Sequence, residues 1–297
     1  MRTSPELRKL FGLLALLAAP AGAFAQSDSA ATGPLIRDSD ILPATEGVDP
    51  TRLRVCSDPN NMPFSNRDQQ GFENKIAELI AKDWGLPVAY NWFPQRRGFV
   101  RATLNSRRCD LVIGVPAGYD PLATTSPYYR SAYVFVYPAD KGWNITSLDD
   151  PILKKLRIGM NVIGDDYSNP PPAQALAERG IVGLKGYSVY GDYSKESPPH
   201  EIVDAVGRGD IDLAIVWGPL AGYYAKRQPI PLKVVPLPPS GREDLPFDYD
   251  IAMGVRRKDA EFKAKVEDTL RRHAADIQAI LEEFSVPVVA PKVASGQ

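Results

Sequence analysis

The sequence predicts an α/β protein built as two doubly wound lobes joined by crossing strands. Two observations carry this expectation. Short apolar strands alternate with amphipathic helices twice along the chain, first over residues 53–115 and again over 156–217, and such alternation is the mark of a parallel sheet with helices on its faces. Two further apolar or alternating segments, 133–137 and 250–255, stand outside both sets and are the natural crossing strands, which makes the second lobe an insertion into the first.

The opening residues read as an address. Arg2, Arg8 and Lys9 precede an uncharged run over 10–19, and Ala23-Phe24-Ala25 offers small residues for a leader peptidase, so residues 1–25 are expected to be a signal peptide cut before Gln26. The run is shorter than the roughly 20 residues that span a bilayer, and no later segment is long and apolar enough to cross one. Residues 26–50, rich in Ser, Ala, Thr, Asp, Gly and Pro without periodicity, are expected to form a mobile arm.

The first lobe is expected over 51–138 and 246–297, the inserted second lobe over 139–245. Strand 53–56 leads to a helix over 71–85, with Phe72, Ile76, Leu79, Ile80 and Trp84 on one face and Gly85 then Pro87 as its stop signal. A strand over 88–93, a helix over 98–107 and a buried strand over 111–115 follow. The second set gives strands over 156–160, 186–190 and 212–217 with helices over 171–179 and 199–208, and the stretch 260–284 reads as one or two helices packing on the first lobe.

The formal net charge of −1 over 297 residues gives no electrostatic case for nucleic acid or an anionic membrane. Cys56 and Cys109 are the only cysteines. In an oxidising compartment they form either a disulfide between neighbouring strands or two buried thiols out of register. A metal site made of them with the distant His200 and His273 is disfavoured, and no acidic loop has calcium-binding spacing.

Loops leaving the carboxyl ends of parallel strands line the ligand crevice of an open α/β sheet, so the expected cleft walls can be named. The first lobe contributes Asp58, Asn60, Asn61, Phe64, Phe93, Arg96, Arg97, Pro116, Tyr119 and Asp120, followed by Tyr128, Tyr129 and Arg130 on the way to the hinge. The second contributes Asn161, Asp165, Asp166, Tyr167, Trp217 and Gly218. Each has a plainer reading. Asn60 and Asn61 between prolines shape a turn, Arg96 and Arg97 either clamp a carboxylate or phosphate or pair with Asp58, Tyr128 and Tyr129 anchor a hinge, and the Asp165-Asp166 loop is solvated.

Four segments together resemble a known family. Asp58-Pro59-Asn60-Asn61-Met62-Pro63-Phe64-Ser65, Gly71-Phe72-Glu73-Asn74-Lys75-Ile76-Ala77, Phe93-Pro94-Gln95-Arg96-Arg97-Gly98-Phe99-Val100-Arg101 and Gly114-Val115-Pro116-Ala117-Gly118-Tyr119-Asp120 are similar to segments of the quinoprotein dehydrogenase-associated solute-binding-like proteins. These are the J proteins of methanol dehydrogenase clusters, and the chain looks closer to the XoxJ than to the MxaJ type. The resemblance implies a type II periplasmic binding protein fold. It also implies a periplasmic role beside the large subunit of a pyrroloquinoline quinone methanol dehydrogenase, lanthanide-dependent forms included, in maturation or activation, with no cofactor of its own.

Amino-acid-binding members of the wider fold family place an arginine after the third strand and an acidic residue after the matching second-lobe strand. Here those regions read Gly118-Tyr119-Asp120-Pro121-Leu122 and Val216-Trp217-Gly218-Pro219. A zwitterion would meet an unpaired carboxylate and an indole, a mismatch of several kcal/mol, comparable to the binding energy of a micromolar ligand. The alternative to a dehydrogenase partner is thus a receptor for a small ligand other than an amino acid. No residue spacing names a reaction, and the chain is read as a binding protein rather than an enzyme.

Overall fold

The computed structural model describes residues 36–162, 169–189 and 198–290. In the first lobe, β1 (Leu53–Ser57) lies parallel between β4 (Val88–Trp92) and β5 (Leu111–Pro116), and β5 is followed antiparallel by β12 (Asp248–Val255). In the second, β8 (Ile158–Val162) lies parallel between β9 (Lys185–Ser188) and β10 (Leu213–Trp217), and β10 is followed antiparallel by β7 (Tyr129–Pro138). The two halves have the same strand order, each with its first strand in the middle of a parallel trio.

The lobes meet along the crossing strands. The first residues of β7 pair with β12, Asp250 opposite Arg130, and the later ones pair with β10 and with β11 (Leu232–Pro236). β7 is ten residues long, longer at both ends than the apolar core that marks it in the sequence. Arg130, expected in the cleft wall, is buried and holds this seam, 2.6 Å from Asp248 and 2.7 Å from Asp250. Tyr129 is likewise core, its ring edge-on to Phe72.

In the first lobe, α1 (Phe72–Trp84), α6 (Ala260–Arg272) and α7 (Ala274–Glu283) cover one face of the sheet. Phe72, Ile76 and Ile80 meet Val55, Leu111, Met253, Leu281 and Phe284 there. The opposite face is smaller and includes Cys56, Phe99, Leu104, Cys109 and Leu122. Cys56 and Cys109 are joined, with Cα atoms 5.3 Å apart. In the second lobe, α3 (Pro171–Glu178) covers one face with Leu176, while α4 (Glu201–Arg208) and α5 (Gly218–Ala225) cover the other with Ile202, Val206 and Leu220. The apolar run of β7 serves both faces, Phe135 and Tyr137 toward one and Val134 and Val136 toward the other.

Three expectations are corrected. The helix expected over 98–107 is only one turn, α2 (Phe99–Ala102). The Thr103 and Ser106 hydroxyls donate to the carbonyls of Phe99 and Ala102, both at 2.7 Å, and Arg107 takes a left-handed φ of 59°. Such back-bonding offers the chain an alternative to a continued ladder. Residues 36–50, expected to belong to a mobile arm, are tied to the first lobe. Arg67 pairs with Asp40, the Asn91 side chain accepts from the Leu42 amide, and Arg108 donates to the Leu42 carbonyl. Residues 218–225, where the sequence suggested only a cleft-lining loop, form α5.

Candidate ligand cleft

The loops after β1, β4 and β5 form the first-lobe wall. After β1 the chain makes a small hairpin of β2 (Asn60–Asn61) and β3 (Ser65–Asn66). Asp58 organises it from within: one carboxylate oxygen accepts from the Asn60 amide at 2.8 Å and the other from the Gln95 amide at 2.6 Å. Asp58 is therefore a buried clasp between the loops that follow β1 and β4, not an exposed ligand group. Asn61 adds a weak bond from its amide to Gln95 Oε1 at 3.4 Å. Phe64 packs on Phe72, and Phe93 tilts against Phe99.

Of the expected first-lobe residues, Arg96, Arg97, Pro116 and Tyr119 line one cavity of about 530 Å³ with Gln95, Val100 and Arg101. Tyr119 is 41% exposed. Asp120 turns away from this cavity: its side chain is 97% exposed and pairs with Arg257 at 2.8 Å.

A residue that the sequence reading passed over lies buried against Gly114, one of the residues lining this cavity. Glu73 is only 6% exposed, and no hydrogen bond reaches its carboxyl among the described residues. Its Oε1 lies where a Cβ on residue 114 would stand, and Gly114 holds a φ of 79° that a side chain would oppose. Burial, and secondarily the charge of Asp58, pushes the Glu73 carboxyl well above the usual carboxylate range. The hint in the sequence is an acidic residue in the i, i+3, i+7 row with Ile76 and Ile80, where an apolar one belongs.

A carboxyl whose folded pKa is raised binds more protons in the native than in the unfolded state once pH exceeds the unfolded value, so it lowers stability as pH climbs through the folded pKa. Glu73→Gln is expected to raise the melting temperature at pH 7–8 and to flatten its decline between pH 5 and 8. Thermal melts followed by circular dichroism at several pH values check this, and equal slopes in the two proteins would contradict it.

On the second wall, Asn161 lies one residue before the end of β8, and its Nδ2 is buried without a hydrogen-bond partner among the described residues. Trp217 is held edge-on between Tyr133 and Tyr249, with centroids 5.6 and 5.8 Å away. Gly218 has no room for a side chain, since a Cβ would stand 2.7 Å from the Ala132 carbonyl oxygen, so it serves packing. Tyr128 packs against Tyr129 and its hydroxyl is buried without a partner among the described residues. Asp165, Asp166 and Tyr167 lie outside the described residues.

Two lobes of matching strand order, joined by crossing strands and presenting loop clusters at the carboxyl ends of their sheets, define a type II periplasmic binding protein. The chain belongs to the bacterial extracellular solute-binding proteins, family 3, whose model matches residues 53–286. It is homologous to the protein MoxJ of Methylorubrum extorquens, at 31% identity over 245 residues covering 80% of this chain and 81% of the relative. The crystal structure of the periplasmic binding protein XoxJ from Methylobacterium extorquens AM1 superposes with a TM-score of 0.67 at 38% identity, covering 80% of this chain and 100% of that one. MxaJ from Methylophaga aminisulfidivorans gives 0.68 at 28% identity, again over 80% and 100%. The chain is thus of the MoxJ and XoxJ kind. An ancestral cationic amino acid solute-binding protein, at 20% identity, 79% and 95% coverage and a TM-score of 0.60, shares the fold.

Proposed function

We propose that the chain is exported through a leader removed before Gln26 and works in the periplasm beside a pyrroloquinoline quinone methanol dehydrogenase. There it binds the large subunit and assists its maturation or activation without catalysing a reaction itself. Its kinship with the J proteins favours this reading, and one feature of the site carries it: neither position that would hold a zwitterion is equipped to do so. Asp120 is solvent-exposed and paired with Arg257, and Trp217 is wedged between two tyrosines. The rim instead exposes Arg96, Arg97 and Tyr119, residue types that anchor interfaces.

Charge reversal by Arg96→Glu with Arg97→Glu is expected to weaken association with the dehydrogenase at least about tenfold, because it sets like charges against whatever these forks contact. Co-purification from the periplasm followed by native mass spectrometry measures this, and undiminished association would remove the surface from the proposal. A small adduct on a monomer in the same spectrum would favour the second reading, a receptor for a small ligand other than an amino acid.

A further inference from the structure

We propose that the first-lobe cavity between α2 and the end of β5 is a binding site for a small organic anion, a carboxylate or phosphate carried on an apolar body. The inference does not depend on the dehydrogenase reading, since it concerns what the isolated chain binds.

Three guanidinium groups carry the argument. Arg96, Arg97 and Arg101 all line the cavity of about 530 Å³, a size suited to a small organic ligand. Several other arginines are ion-paired: Arg54 with Asp110, Arg130 with Asp248 and Asp250, Arg157 with Asp212, Arg242 with Glu178, Arg272 with Asp83. Arg96, Arg97 and Arg101 have no ion pair among the described residues. The Arg101 side chain folds back over the turn that carries the other two, its Nη2 3.6 Å from where a Cβ on Gly98 would stand. Arg96, Arg97 and Arg101 are all exposed, and three like charges around one concavity concentrate a positive field that an anion would meet.

The carboxylates of the adjoining loops are already engaged. Asp58 is used by the amides of Asn60 and Gln95, and Asp120 by Arg257. Among the described residues no carboxylate forms an ion pair with the trio, which leaves these guanidinium groups open to an external anion. Guanidinium forks match the planar, bidentate geometry of carboxylate and phosphate.

The remaining lining selects the ligand's body. Val100, Pro116, Tyr119 and Pro121 line the same cavity, and Pro116, Tyr119 and Pro121 are exposed. A ligand whose anionic end meets the arginines would cover these apolar surfaces with the rest of its bulk, which bare inorganic phosphate cannot do.

Isothermal titration of the mature protein with benzoate and, separately, with inorganic phosphate tests the proposal. Benzoate is expected to bind saturably, more tightly than phosphate, and at least about tenfold more weakly to the triple variant Arg96→Gln, Arg97→Gln, Arg101→Gln. The exposed Tyr119→Ala is expected to weaken benzoate and leave phosphate unchanged, which keeps the test informative if the triple variant melts at a lower temperature than the wild type. No saturable benzoate binding, or equal affinity in a triple variant with an unchanged melting temperature, would overturn the site. Phosphate binding as tightly as benzoate would overturn the apolar component.

Discussion

Asp110→Ala is expected to cost about 3–5 kcal/mol of folding stability, the usual effect of stripping one partner from a buried ion pair. Asp110 precedes β5 and is fully enclosed. Its carboxylate takes two bonds from Arg54, Nη2 at 2.7 Å and Nε at 2.8 Å, and one from Arg256 at 2.5 Å. Arg54 is 2% exposed and also donates to the carbonyls of Arg107 and Gly47, so the lost carboxylate strands a cation in the core of β1. Arg256 keeps Asp259 at 2.7 Å and is less affected. The melting temperature should fall by about 10 °C in a chain of this size. The double variant Arg54→Met, Asp110→Leu should recover most of the loss, because it removes the buried charge together with its partner. Thermal melts of the single and double variants decide the matter. A double variant as unstable as the single would place the cost in packing rather than in the stranded charge.

Replacing both cysteines by serine is expected to cost about 4 kcal/mol, from the loop-closure entropy of a disulfide spanning 53 residues. The bridge fastens β1 to the chain entering β5, on the face where the core is thin and α2 supplies only one turn. Phe99, Leu104 and Leu122 pack with Cys56 and Cys109 there, so amide exchange protection over 99–109 should fall most. Urea unfolding of oxidised and cysteine-free protein measures the effect, and coincident midpoints would show that the apolar core holds this face without the bridge.

Several elements of the fold are legible in the sequence because local chemistry and tertiary packing agree. The row of Phe72, Ile76 and Ile80 with Gly85 as its stop becomes α1, and the run after Asp110 becomes β5, because each is written in the period of the structure it adopts. The helix expected over 98–107 was not legible, because the hydroxyls of Thr103 and Ser106 compete with the helical ladder. Residues 36–50 read as an arm because their composition is polar and aperiodic. What holds them down, Arg67, Asn91 and Arg108, lies far along the chain.

The candidate site divides in the same way. Arg96, Arg97, Pro116 and Tyr119 were nameable because loops after parallel strands line the crevice, and they share one cavity. Asp58, Tyr129, Arg130 and Gly218 sit on equally suggestive positions, yet they are spent on holding loops, core and seam together. Glu73 is the converse: its place in the row with Ile76 and Ile80 is a hint only, and it takes the packing against Gly114 to show a buried carboxyl with no hydrogen bond among the described residues.

The sequence by itself determined the two-lobed α/β class, the crossing segments and the loops that carry unusual side chains, since these follow from hydrophobic period and connection rules written locally in the chain. Only the tertiary structure decided which of those side chains remain available. Availability depends on partners brought together across long stretches of chain: Asp120 is taken by Arg257, Asp58 by Gln95 and Arg130 by β12, while Arg96, Arg97 and Arg101 are left facing one cavity.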